Sequence, residues 1–308
     1  MQVKGTLNIS VESQEELTAV TAFLQSRKKV APEASIQSAG FGQSNDNLLD
    51  LVTENHQELI EWLRIVKVLS QELPVRIDQT GLHCRLSDGP GRQVVFDSQI
   101  GKPLFSTYHL KVPAIDITIQ DVGVLLQAIE RIRLKGQPVH LWIERSDQGV
   151  LRVGEDYSVK LGRCVILKER VEPSKADVGA SLSMNASSSF WLTRKALIAL
   201  MMDNKANASY VDFAAGSSEL VLESHTETGD FSKKITEHYR CTKPSRSRLN
   251  YVDLLLRCLK ASRCEKITID NLGTFLQIWF SGSVHARRIL ILACKRIAEK
   301  SESISQES

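Results

Sequence analysis

The order of predicted secondary-structure elements occurs twice along this chain of 308 residues. From about Asn47 the pattern predicts a strand, a helix, a hairpin, further strands, a second helix and more strands. The same order starts again at about Ser181, so that each copy spans roughly 120 to 130 residues. The copies share element order and turn positions but little sequence identity. A strand-rich unit with two helices predicts an α+β fold, with the helices on one side of antiparallel sheets.

The repeat also predicts where the domains begin and end. The predicted division is an N-terminal extension at 1–45, a first domain at 46–166, a connector at 167–181, a second domain at 182–298 and a polar tail at 299–308. The extension is predicted to contain one strand, one short helix and a linker of small and polar residues. The connector is charged and contains Pro173 and Gly179, which is typical of an extended segment between domains.

Four helices and several turns within the two copies can be located from periodicity. The predicted helices span residues 55–73, 120–136, 189–206 and 247–262. Pro74 is expected to end the first helix and Gly136 to close the second. Hairpin turns are expected at Gly81, Gly216 and Gly273.

Cationic residues recur on these four helices. The candidates for a DNA-binding surface are Arg64, Lys67, Arg131, Arg133, Lys135, Arg194, Lys195, Lys205, Arg257, Lys260 and Arg263. In the last helix Arg257 and Lys260 are expected opposite an apolar face. Net charge is only +3, so a nucleic-acid surface would need its cations gathered on one face. The alternative interpretation of the same residues is an ordinary solvated face, which suits the first helix best because acids balance its bases.

The sequence resembles the sliding DNA clamps of the proliferating-cell-nuclear-antigen type over roughly residues 47–298. The resemblance is carried by "LIEWLRIVKVLSQELPVRIDQTGLHCRL", by "GEDYSVKLGRCVIL" and by the closing "RRILILACKRI". It implies two tandem clamp-like domains, with antiparallel sheets outside and two helices of each domain on an inner face. The helix cations would then meet the phosphates of double-stranded DNA without reading bases.

The same resemblance implies partners and a second site. The partners would be DNA polymerase and other clamp-binding proteins, a clamp loader, and further subunits in a homo- or hetero-oligomeric ring. Residues bordering the groove for partner peptides would be Val165, Ile166, Leu167, Ala293, Cys294 and Ile297. For Val165 to Leu167, the last strand of the first domain is an equally good interpretation. Two features depart from the family: the extension at 1–45 has no counterpart, and the tail is basic and then polar instead of acidic.

Other functional classes have little support in the sequence. Neither "GFG" nor "GPG" has the strand–turn–helix context of a phosphate-binding loop, and no nucleophile elbow is present. The six cysteines form no Cys-x-x-Cys pair, which favours reduced thiols in an intracellular protein, nuclear or cytoplasmic according to the host, and predicts neither a metal site nor a cofactor. No membrane segment is expected. The alternatives that remain are a subunit of a checkpoint-type heteromeric clamp, a monomeric viral-type processivity factor, and a β-rich interaction protein without DNA binding.

Overall fold

Two halves with the same succession of strands and helices form the described part of the chain. A computed structural model describes residues 46–87, 93–168, 186–227, 229–281 and 285–297. The predicted extension, most of the connector and the predicted tail lie outside these residues. We call 46–168 the first half and 186–297 the second half. The division into two domains at 166 and 182 stays a prediction.

The first half contains nine strands, two α-helices and a short 3-10 turn at Lys102–Leu104. The elements are β1 (Asn47–Thr53), α1 (His56–Leu69), β2 (Leu73–Asp78), β3 (Gly81–Ser87), β4 (Val94–Gly101), β5 (Thr107–Leu110), β6 (Ala114–Ile119), α2 (Val122–Leu134), β7 (Val139–Glu144), β8 (Val150–Val153) and β9 (Tyr157–Leu167).

The second half repeats this order and adds one short strand. Its elements are β10 (Ser188–Thr193), α3 (Arg194–Asn207), β11 (Val211–Ala215), β12 (Leu220–Thr226), β13 (Gly229–Ile235), β14 (Tyr239–Cys241), β15 (Ser245–Leu249), α4 (Val252–Ala261), β16 (Lys266–Asn271), β17 (Phe275–Phe280), β18 (Ala286–Ala293) and β19 (Lys295–Arg296). The predicted α+β class is therefore confirmed.

Helix boundaries differ from the predictions at three places. The third helix was expected from residue 189, but Ser188–Thr193 is a strand and the helix begins at Arg194. The fourth was expected from residue 247 but begins at Val252, after β15. The first helix ends at Leu69, and β2 begins four positions later at Leu73. Pro74 therefore lies inside a strand and does not end the helix.

Side-chain caps explain where three helices start. Asn55 accepts a hydrogen bond from the Glu58 amide, Asp121 from the Val124 amide, and Thr193 from the Ala196 amide. Each satisfies one of the backbone donors that a helix leaves unpaired at its first turn. The hydrophobic pattern of the run "SFWLT" is compatible with a helix. Thr193 at the end of this run is nevertheless both the last residue of β10 and the N-cap of α3.

Two glycines are required where turns were predicted. Gly136 follows α2 with φ of +70°, and its amide donates to the carbonyl of Arg133, so it closes the helix as expected. Gly81 opens β3 with φ of +146°, and a Cβ atom there would lie 2.1 Å from the carbonyl oxygen of Ile100. Any side chain at Gly81 would force β3 away from β4.

All described strand pairings are antiparallel. Fourteen strands form one sheet in the order β14-β10-β16-β17-β18-β4-β3-β2-β6-β9-β8-β7-β1-β5, and five form a second in the order β13-β12-β11-β15-β19. The main core lies between these sheets and the four helices, and it contains buried residues from both halves.

The halves meet where β18 pairs with β4, which we call the joint. Its register places Ile289 opposite Asp97 and Leu290 opposite Phe96. Because side chains alternate along a strand, Leu290 faces the helices and the main core while Ile289 faces the other side. The joint makes the long sheet continuous from one half to the other.

A buried ionic cluster lies on the helix side of the joint. The cluster comprises Glu58 and Glu61 of α1, Ser262 and Cys264 after α4, and Arg288 of β18. The Arg288 guanidinium is fully buried and binds both carboxylates, with Nη1 3.1 Å from Oε1 of Glu61. Oε1 of Glu61 also accepts from the Ser262 hydroxyl at 2.8 Å and the Cys264 thiol at 2.9 Å. Such a cluster holds α1 of one half against β18 of the other.

Charge compensation decides the ionisation of Glu61. Burial raises the pKa of its carboxyl, but the Arg288 charge and the hydrogen bonds from Cys264, Ser262 and the Arg263 backbone outweigh burial, and the pKa falls below its usual value of 4.5. Burial raises the pKa of the neighbouring Cys264 thiol to about 12. The cluster is therefore a carboxylate–guanidinium pair with a protonated thiol.

Candidate nucleic-acid interface

The four helices form one continuous row. Helix α1 packs against α2 within the first half, α4 packs against α3 within the second, and α1 packs against α4 across the joint. The order along the row is therefore α2, α1, α4, α3. The predicted cations lie on these helices or within two residues of their ends.

Position in the row determines how much of each helix is exposed. Helix α1 has a helical neighbour on each side, so most of its residues from Leu59 to Val66 are buried and Lys67 is its one exposed residue. Helix α4 buries Val252, Leu255 and Leu259 and exposes Arg257 and Lys260 on the opposite face. The predicted orientation of these two cations toward solvent is confirmed.

Several predicted cations have partners within the protein. Arg64 binds Glu130 of α2 at 2.7 Å, Lys135 binds Asp156 at 2.8 Å, and Lys205 binds Asp253 of α4. Asp156 raises the pKa of Lys135. A cation that is already paired attracts a phosphate less strongly, so these residues add less to a positive surface than their number implies.

Two further predicted cations make weaker contacts. The Arg131 guanidinium lies 5.9 Å from the centre of the Tyr157 ring. Arg194 donates to the carbonyl of Leu259 at 3.5 Å, which leaves its charge uncompensated. Neither contact neutralises the positive charge.

The remaining six predicted cations make neither contacts of this kind nor an ion pair with any residue in the described ranges. They are Lys67, Arg133, Lys195, Arg257, Lys260 and Arg263. All but the half-buried Arg133 are exposed, and together they come from every helix of the row. Such an arrangement attracts anions along the whole row, whereas a site for one small ligand would need its charges converging on a point.

A polar cleft lies between α1 and α2. Its volume is about 400 Å³, and it is lined by Lys67, Gln71, Asp121, Gly123, Val124 and Gln127. The Lys67 ammonium and the amides of Gln71 and Gln127 suit contact with phosphate and sugar oxygens, directly or through water, whereas the Asp121 carboxylate, which caps α2, repels phosphate. The sequence offered no signal for this cleft because its residues come from two helices separated by five strands.

Exposed apolar residues also lie on the row, which periodicity did not predict. Val124 and Leu134 of α2 are 45% and 79% exposed, and Met202 of α3 is 49% exposed. Both helices are at the ends of the row, where no further helix of the described chain covers them. The apolar residues therefore mark the two ends of the row.

The residues predicted to border a peptide groove lie at corresponding places in the two halves. Val165, Ile166 and Leu167 form the end of β9, where they pair with β6, so they belong to a strand and not to the start of the connector. Ala293 ends β18 opposite Phe275, and Cys294 and Ile297 flank β19. Ile166 is the most exposed of the apolar three, at 38%. Whether these residues bind peptides stays a prediction.

A small apolar cluster lies next to Ala293, on the sheet face opposite the helices. Val95, Ile289 and Ile291 are buried there, with Phe275 and Trp279 packed against them. The cluster straddles the joint because Val95 belongs to β4 and the others to the second half. The sequence did not predict this cluster. Ile289 and Ile291 alternate with Leu290 and Leu292 of the main core, and in a strand that is apolar throughout the pattern does not distinguish the two faces.

Similar solved structures are proteins of the proliferating-cell-nuclear-antigen (PCNA) type. The PCNA of Entamoeba histolytica matches with a TM-score of 0.64 and 12% identity, covering 81% of this chain and 99% of that one. The PCNA of Thermococcus kodakaraensis matches at 0.63 and 14%, covering 80% and 100%. The A. fulgidus PCNA bound to the C-terminal region of FEN-1 matches at 0.60 and 17%, covering 82% and 100%.

Comparison at the level of sequence identifies no relative. No protein-family model and no curated protein sequence matches the chain. The predicted resemblance is nevertheless confirmed at the level of structure: the chain has a sliding-clamp fold of the PCNA type.

Proposed function

We propose that the protein is a sliding DNA clamp, which tracks along or encircles duplex DNA without reading its sequence and tethers proteins of replication and repair. The observation that carries this proposal is the row of four helices with eight predicted cations that have no acidic partner in the described chain. Phosphate contacts from such a row are independent of sequence, which a protein that slides requires.

The fold supports the same function. PCNA-type clamps are non-enzymatic scaffolds, and we propose no catalytic activity for this chain. Its modest net charge fits a protein whose cations are gathered on one face and offset by acids elsewhere. The protein would act inside the cell, in the nucleus or cytoplasm according to the host, with a clamp loader and a DNA polymerase as partners.

Tethering requires a second surface. In one similar structure a PCNA holds the C-terminal region of FEN-1. We propose that this chain likewise binds short segments of partner proteins, through residues at the ends of β9 and β18 and the apolar cluster beside Ala293. Burial of apolar side chains from the partner would supply most of the binding free energy.

Binding to short linear duplexes tests the proposal directly. Fluorescence anisotropy with two labelled duplexes of unrelated sequence should give equal affinities that fall steeply between about 50 and 200 mM salt. Absence of binding at the lowest salt would reject DNA as the ligand. A strong preference for one duplex would reject sequence-neutral tracking.

A further inference from the structure

Two tryptophans stand on the face of the long sheet that points away from the helices. Trp191 belongs to β10 and Trp279 to β17. Each follows a core residue in its strand, so the alternation of side chains turns it outward, and both are half-buried. Thr268 of β16 pairs with Trp191 on one side and with Trp279 on the other. Because neighbouring strands lie about 4.8 Å apart, the two indoles start about 10 Å apart, in a row that crosses three strands.

Trp191 already carries a flat aromatic group. The imidazole of His238, one position before β14, has its centre 3.7 Å from that of the indole and is inclined to it by 20°. The backbone of His238 has φ of +55°, a left-handed conformation that is unfavourable for any residue with a Cβ atom. Stacking on Trp191 therefore holds an exposed side chain above a strained backbone. A nucleobase is also planar, so it can replace the imidazole on the indole while the strain is released.

Two cations flank Trp191. The Lys266 ammonium lies 4.3 Å from the centre of the indole, and Arg240 stands on the same face, opposite Ser189 of β10. Both cations are exposed, and neither makes an ion pair with another residue of the described ranges. They lie diagonally on either side of Trp191, since Arg240 belongs to β14 and Lys266 to β16.

One acid lies on the inner part of the same face. Asp270 accepts hydrogen bonds from the Ser189 hydroxyl at 2.6 Å and from the indole N–H of Trp279 at 2.8 Å. The second bond fixes the orientation of that indole. The carboxylate also repels phosphate, so the backbone of a bound strand is expected near Arg240 and Lys266, with only bases over the inner part of the row.

We propose that this face binds single-stranded nucleic acid, with bases stacked on Trp191 and Trp279 and phosphates against Arg240 and Lys266. We call these four residues the tryptophan face. Every base has a π-face, so stacking of this kind is tolerant of sequence, and cations beside the aromatic groups hold the backbone. Duplex DNA is a poor ligand here because its bases already stack on one another. The helix row lies on the other side of the sheet, so the inference goes beyond the proposed function and does not depend on it.

The corresponding face of the first half has the opposite charge balance. Trp142 of β7 also stacks on a histidine there, but that histidine, His140, is buried. Arg152, which pairs with Trp142 across the strands, is 3.8 Å from Glu144 and 3.6 Å from Asp147. An indole beside two acids that share one cation does not attract a phosphate backbone. Trp142 is therefore a matched control for Trp191.

Two strands of equal length test the inference on the full chain at low salt. One is a labelled thymidine strand of about 12 nucleotides, and the other is an abasic strand with the same phosphates but no bases. The thymidine strand should bind roughly tenfold or more tightly than the abasic one and should quench tryptophan fluorescence, because only bases can stack on indoles. Equal affinity for the two strands, or no binding of the thymidine strand, would overturn the inference.

Variants of the tryptophan face locate the binding. Trp191→Ala should weaken binding of the thymidine strand by roughly tenfold or more, and Trp191→Phe should restore most of it. Arg240→Glu with Lys266→Glu changes exposed side chains only, so it should weaken binding while the protein stays folded. Trp142→Ala should bind as wild type does. Undiminished affinity in Trp191→Ala and in the double variant, or an equal loss in Trp142→Ala, would show that the strand binds elsewhere.

Two further measurements separate this inference from other functions. Trp191→Ala should keep the wild-type affinity for linear duplex, so a wild type that binds the thymidine strand but no duplex would refute the proposed clamp function and leave this inference standing. An acidic peptide is the second probe. If the peptide bound wild type and not Trp191→Ala, while the thymidine strand bound neither, the tryptophan face would be a protein-docking surface and the inference would be wrong.

Discussion

Arg288 and Glu61 approach to 3.1 Å with side chains 0% and 8% exposed, although one belongs to β18 and the other to α1. The contact crosses the joint between the halves. A fully buried guanidinium needs its carboxylate partners, because an unpaired charge in that position is strongly unfavourable. The pair therefore makes the stability of each half depend on the other.

Replacing Arg288 with Met should lower the free energy of unfolding by about 3–5 kcal/mol, since it leaves two carboxylates buried without their cation. The matched control is Arg287→Met, one residue away: Arg287 binds Asp97 with a side chain that is 45% exposed, and we expect a loss of about 1 kcal/mol or less. Urea denaturation of both variants provides the comparison. Equal losses would mean that the buried cluster contributes no more than a surface pair.

Stability should fall in acid through Glu61. Its pKa is lower in the folded protein than its usual 4.5, so the unfolded chain binds the proton more readily. The contribution is fully present above about pH 5 and is lost as the pH falls through the folded pKa. Denaturant midpoints measured across this range should drop for wild type and show a shallower decline for Glu61→Gln. A parallel decline in the two proteins would assign the acid sensitivity to other groups.

Reversing two charges on α4 should weaken DNA binding without unfolding the protein. Arg257 and Lys260 are exposed and unpaired within the described chain, so Arg257→Glu with Lys260→Glu leaves the core intact. The salt dependence of binding to linear duplex should also decrease, by roughly 2 in logarithmic slope, at about 0.9 per phosphate contact. Lys295→Glu with Arg296→Glu reverses as many charges outside the helix row and is the control. If the two double variants bound duplex DNA with equal affinity, the helix row would not be the DNA-binding surface.

Partner peptides should be lost when the apolar end of β9 is made polar. Ile166→Ser with Leu167→Ser removes two apolar side chains while retaining the backbone bonds to β6. Isothermal titration with the clamp-binding peptide of the host's DNA polymerase should show binding to wild type and none to the variant. The neighbouring Arg163→Ser should bind normally. A folded double variant with undiminished affinity would place the peptide site elsewhere.

Thiol labelling should separate the cysteines by burial. Burial raises the pKa of Cys84 and Cys258 to about 12, so hardly any reactive thiolate forms at pH 8. Mass spectrometry after brief alkylation of the native protein should find these two unmodified and the partly exposed Cys241 modified. Rapid labelling of Cys84 or Cys258 would indicate opening of the core near these residues.

Local chemistry made part of the fold predictable. Gly81 and Gly136 mark turns because only glycine accommodates the backbone there, and α4 was recognisable because its cationic and apolar faces alternate with helical period. The start of α3 was not, since Phe190 and Leu192 of β10 continue the apolar pattern of the helix that follows. Whether such a run is strand or helix is decided by its pairing with β16, which lies far along the chain.

The sequence predicted which cations lie on the helices of the candidate interface, but not which of them are paired with acidic residues. The sequence places cations on all four helices, yet it cannot show that Arg64 is paired with Glu130 across two helices while Lys67, one turn away, is not. Arg288 was overlooked for the same reason. It follows Arg287 in a strand, and only the arrival of α1 over one face of that strand distinguishes the buried arginine from the exposed one.

The pairing of β4 with β18 has a consequence for biosynthesis. Arg287 and Asp97, which meet at this pairing, are 190 residues apart in sequence. On the ribosome, β4 emerges long before its neighbour exists, so its edge stays open to the wrong strands of other nascent chains for most of translation. Contacts of such long range also slow folding. We expect newly made protein to depend on chaperones until β18 has left the exit tunnel.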